Sequence, residues 1–103
     1  MSFKADRLKG VVGMDKLADI RKEIDALDQQ IIALLGKRFQ ITEMVGILKA
    51  ENALAATDSE RESIQYKRYR QLANQFDVDE ALVESLFALV IENVVAKHKK
   101  MIN

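Results

Sequence analysis

From Leu17 to Leu48 the apolar residues advance in steps of three and four: Leu17, Ile20, Ile24, Leu27, Ile31, Leu34, then Arg38, then Ile41, Val45 and Leu48. Steps of three and four keep one stripe of a helix apolar, so the pattern predicts a single helix from about Asp15 to about Ala50 with a heptad seam. Some 35 residues at 1.5 Å each span about 50 Å. A compact chain of this size has a radius of gyration of only about 13 Å. The helix therefore protrudes, and only two shorter helices remain to cover its seam. A second copy of the chain is the simplest cover. The expected fold is all-α, three helices with one very long N-terminal helix, paired as an intertwined helical homodimer; a monomer whose first helix kinks near Gly46 or folds back is the alternative.

The rest of the chain supplies those two helices. The period is lost in AENALAAT, residues 50–57, which reads as a connection. Thr57 with Glu60 three residues on is a capping-box pattern that starts a second helix near Asp58. That helix runs to about Gln75, with Glu62, Tyr66, Tyr69, Ala73 and Phe76 along one stripe. A polar link over residues 77–79 follows, and Asp77 with Glu80 repeats the capping pattern. The third helix places Val83, Phe87, Ile91, Val94 and His98 on one face and ends near Lys100, its basic tail suited to the negative end of the helix dipole. Residues 1–13 read as a flexible leader and residues 14–103 as one domain.

Polar groups on faces that should be apolar give the first hint of chemistry. Arg38 is the one charge in the seam. A guanidinium keeps its proton, so burying it without an anion costs several kcal/mol. Either a carboxylate of the protein or a bound anion meets it, or the side chain snorkels its charge out to water. Lys49 lies three turns further on at nearly the same azimuth, although a lysine near a helix end also serves as a solvated cap. Asp58, Arg61 and Glu62 fall within one turn of the second helix, Glu62 on its apolar stripe; His98 extends the apolar stripe of the third. Together they describe a pocket for a small polyanionic organic ligand. With no cysteine, nucleophile triad or glycine-rich phosphate loop, its chemistry is positioning and electrostatic stabilisation.

Composition narrows the alternatives. Of 103 residues, 49% are hydrophobic, there is no proline, and 16 basic residues balance 16 acidic ones. No net field draws the chain to nucleic acid or an anionic membrane. With one histidine and no clustered carboxylates, no metal site is expected. No apolar stretch approaches the roughly 20 residues that cross a bilayer, and the first ten residues hold no signal-peptide core, so a soluble cytoplasmic protein is expected.

Arg21 in LADIRKEIDALD, Arg38 in ALLGKRFQITEMVG, Lys49 in ILKAEN, and Asp58, Arg61 and Glu62 in ATDSERESIQ make the chain resemble the all-helical, AroQ-class chorismate mutases over roughly residues 14–100. The resemblance implies intertwined dimers that convert chorismate to prephenate on the shikimate route to phenylalanine and tyrosine, without a cofactor. It implies that Arg38 and Arg61, with Arg21 from the partner subunit, hold the two carboxylates of this dianionic substrate. Lys49 would contact a carboxylate and the ether oxygen; Asp58 and Glu62 would bind the hydroxyl. The reaction is a one-step Claisen rearrangement, so the arginines would fold the enolpyruvyl arm over the ring, and Lys49 would meet the charge that grows on the ether oxygen.

Two positions depart from the family pattern. His98 stands where many members carry a glutamine as second donor to the ether oxygen, and Val94 where a serine often lines the pocket. If the ring donates to that oxygen, activity should rise as pH falls through the histidine titration, ordinarily near roughly 6.5. The related isochorismate-pyruvate lyases, which make salicylate, share the fold, but the acidic pair Asp58 and Glu62 is not expected together in that branch. A mutase acting on an amino analogue of chorismate, in which carboxylates hold an ammonium, and a non-catalytic helical dimerisation module are the other readings.

Overall fold

The computed structural model describes residues 13–102. The leader expected over residues 1–13 lies, apart from Gly13, outside the described residues. Three helices and no strand are found among them: α1 Met14–Glu51, α2 Ser59–Gln75 and α3 Glu80–Ile102. The 38-residue α1 runs through Gly46 without a break. Asp15 in its first turn and Lys49 in its last complement the helix dipole. Contacts within the chain separate into two units, residues 1–38 and 39–103.

In the first unit the seam faces outward. Ile24, Leu27, Ile31 and Leu34 are all at least half exposed, Leu27 and Ile31 at 57%. Arg38, which closes this unit, is half-buried.

The second unit joins the end of α1 to α2 and α3. Both links end their helix in the same way. After α1, Ala53 takes φ 53° and the Leu54 N–H returns to the Lys49 carbonyl at 2.8 Å; after α2, Asp77 takes φ 57° and the Val78 N–H returns to the Ala73 carbonyl at 2.8 Å. This is the left-handed stop usually given to glycine, made here by residues that carry a Cβ. The caps differ from the expected boxes. Asp58, not Thr57, caps α2 by accepting from the Arg61 N–H at 3.0 Å, and Asp79, not Asp77, caps α3 by accepting from the Leu82 N–H at 3.0 Å. A short carboxylate directly before each helix reaches the orphan N–H three residues on.

Tyr69, Ala73 and Val94 are buried, and the Tyr69 ring stacks on Phe87 at 4.1 Å between centroids, joining α2 to α3. Tyr66 meets Tyr69 edge-on at 5.7 Å. Arg70 pairs with Glu84 at 2.8 Å near the surface, which adds little stability in water. The Lys97 ammonium sits over the Phe39 ring, 5.1 Å from its centroid, and ties α3 to the last part of α1.

Candidate active site

The stop after α1 carries the chain back along its last turn. The Ala56 carbonyl consequently accepts from Lys49 Nζ at 2.9 Å. On the other side of that ammonium lies Nδ1 of His98, 3.4 Å away. An ammonium has three hydrogens. Two have partners in the chain, and among the described residues no carboxylate pairs with it and the third hydrogen has no partner.

His98 is the most buried charged or polar residue described, 3% exposed. Its Nε2 lies 2.7 Å from the Thr42 carbonyl on α1. The ring comes this close because position 46 is glycine: a Cβ there would stand 2.6 Å from Cδ2 and 2.9 Å from Nε2 of the ring. Gly46 is thus a seat for His98. Val94, one turn before it on α3, is buried and presents no hydrogen-bonding group.

On α2, one Asp58 oxygen is committed to the helix cap while the residue stays exposed, as does Arg61. Glu62 is half-buried and faces a cleft of about 400 Å³ between α2 and α3, lined also by Thr57, Tyr66, Glu92 and Lys99. Burial first, then the charge of Glu62 and the neighbouring Tyr69 and Glu84, pushes the Tyr66 phenol above its ordinary value of 10.0. No group of three or more His, Cys, Asp or Glu among the described residues could hold a metal ion.

The structure therefore brings Lys49 and His98 together, with Val94 beside the latter, and sets Asp58, Arg61 and Glu62 along the first turn of α2. Arg21 is exposed and Arg38 half-buried on the first part of α1. Sequence reasoning missed Thr42 and Ala56, which act through backbone carbonyls and leave no side-chain signature. It also missed Gly46 as a seat, although a glycine inside an otherwise strong helix is itself a signal of close approach.

The described residues form an all-helical chain in which Lys49 is anchored by a carbonyl and a histidine and pairs with no carboxylate. The family described as chorismate mutase type II matches residues 20–99, and the chain belongs to it. It is 34% identical over 87 residues to a chorismate mutase of Methanocaldococcus jannaschii, covering 84% of this chain and 88% of that one. A bifunctional chorismate mutase/prephenate dehydratase of Buchnera aphidicola is 33% identical over 86 residues, but this chain, 84% of which is covered, spans only 23% of its length. An isochorismate pyruvate lyase of Pseudomonas aeruginosa is 33% identical over 84 residues, 82% of each chain.

Proposed function

We propose that the protein rearranges chorismate to prephenate, working as a homodimer. The observation that carries this reading is the Lys49 ammonium, held by the Ala56 carbonyl and His98 with one hydrogen left over and, among the described residues, no carboxylate to neutralise it. A Claisen rearrangement needs such a donor at the ether oxygen, where charge is larger in the transition state than in the substrate. Arg38 and Arg61 hold the carboxylates, with Arg21 supplied by the second copy, and Asp58 and Glu62 take the ring hydroxyl. These groups fix the folded conformer in which the two reacting carbons meet, and no nucleophile or cofactor takes part.

The exposed seam supports the dimer. Ile24, Leu27, Ile31 and Leu34 are half or more exposed in a single chain, and burying what remains open of each contributes about 1–2 kcal/mol. A second long helix with the same stripe completes the domain over residues 14–103. Among the described residues no helix is long and apolar enough to cross a membrane, and the proposed setting is the cytoplasm. The test is the initial rate of chorismate consumption by the wild type and by Arg38→Ala. The wild type should turn over and Arg38→Ala should lose about 100-fold or more, the scale on which preorganised charge acts. Equal rates for the two would remove Arg38 from the site.

A further inference from the structure

We infer that His98 is a positioning residue, which holds the Lys49 ammonium through Nδ1 and does not itself donate to substrate. The consequence for catalysis rests on the mutase reading; the contact does not. A carbonyl can only accept, so the 2.7 Å contact between Nε2 and the Thr42 oxygen places the ring proton on Nε2. Nδ1 of the neutral ring then carries a lone pair. Facing it at 3.4 Å is an ammonium that can only donate. Both contacts are satisfied together by one species, the neutral ring protonated at Nε2, and a second proton would set Nδ1–H against the lysine hydrogens.

The surroundings fix this state from each side. Gly46 lets the ring lie on the α1 backbone, and a Cβ there would meet Nε2 at 2.9 Å. Lys49 is the charged group that faces the ring from α1. On α3, Lys97 is turned over Phe39, and Lys99 lines the cleft with Glu92 and with Glu62 of α2. No carboxylate among the described residues is hydrogen-bonded to the ring to stabilise an imidazolium. With Ala56 as the second anchor, His98 aims the remaining Lys49 hydrogen. This role is the opposite of that of a ring that donates directly: Nδ1 accepts from Lys49 and has no proton to give to substrate.

Because His98 is the only histidine, nitrogen NMR of protein labelled with 15N-histidine reads its two ring nitrogens without ambiguity. The expected spectrum at neutral pH has an N–H signal at Nε2 and an unprotonated Nδ1 whose shift moves in Lys49→Met. A proton on Nδ1, a doubly protonated ring, or an Nδ1 signal indifferent to Lys49→Met would overturn the inference. In chorismate turnover, kcat of His98→Ala should fall about 10- to 100-fold with a smaller change in KM, as expected for a misplaced catalytic group. A protein inert toward chorismate would refute the mutase reading while the nitrogen spectrum still decided the Lys49–His98 contact.

Discussion

Adding one methyl group at Gly46 should separate two effects that usually oppose each other in a helix. Alanine is favoured over glycine in a helix interior by about 1 kcal/mol. At Gly36 nothing lies within 4 Å of the added Cβ, so Gly36→Ala should stabilise the protein by about 0.5–1 kcal/mol. At Gly46 the same methyl would stand 2.6 Å from the Met101 sulfur, 2.6 Å from His98 Cδ2 and 2.9 Å from Nε2. The methionine end can swing aside, but the ring is held to the Thr42 carbonyl at 2.7 Å and cannot move without breaking that bond. Overpacking costs about 1–3 kcal/mol and an orphaned buried polar group about 1–3 kcal/mol. After the gain in propensity, Gly46→Ala should lose about 1–5 kcal/mol net. Urea unfolding of both variants at one protein concentration measures the difference, and Gly46→Ala should also lose activity because the ring that carries Lys49 has shifted. A Gly46→Ala protein as resistant to urea as Gly36→Ala would refute the account of that glycine.

Three further predictions address other parts of the site. Asp58→Ala should lose about 1 kcal/mol of stability with the α2 cap; Asp58→Asn should keep the cap and lose turnover, and equal turnover in wild type and Asp58→Asn would remove the carboxylate from substrate binding. The raised pKa of the Tyr66 phenol means that folding favours its neutral form, so its contribution is complete below the ordinary value near 10.0 and lost as pH rises through the raised one. Chemical denaturation across alkaline pH should therefore show a smaller loss in Tyr66→Phe than in the wild type. Arg21→Ala and Lys49→Ala, each inactive alone, should recover about a quarter of wild-type activity when refolded together, since half of randomly paired dimers then hold one intact site of two. No recovery would argue against a site shared between copies.

Periodicity carried most of the fold because long helices without proline announce themselves. The three-four spacing on α1 and the stripe from Val83 to His98 both follow from the 3.6-residue turn, and the outward-facing seam is equally visible in Leu27 and Ile31. The helix stops were not legible, since Ala53 and Asp77 take left-handed conformations that sequence reasoning assigns to glycine. The caps were misplaced by one or two residues because Thr57, Asp58, Asp77 and Asp79 are all competent by type. At the site, residue types revealed Lys49 and His98 as exceptions on their faces. Their contact could not be read, because it depends on where the chain turns at Ala53 and on the backbone oxygens of Thr42 and Ala56.

The most direct test of the central claim is to follow chorismate with catalytic amounts of the purified protein by proton NMR and identify what forms. The account predicts prephenate as the sole product, at a rate abolished by Lys49→Ala. Unchanged chorismate, together with salicylate and pyruvate from isochorismate, would contradict it and assign the same helices to a lyase.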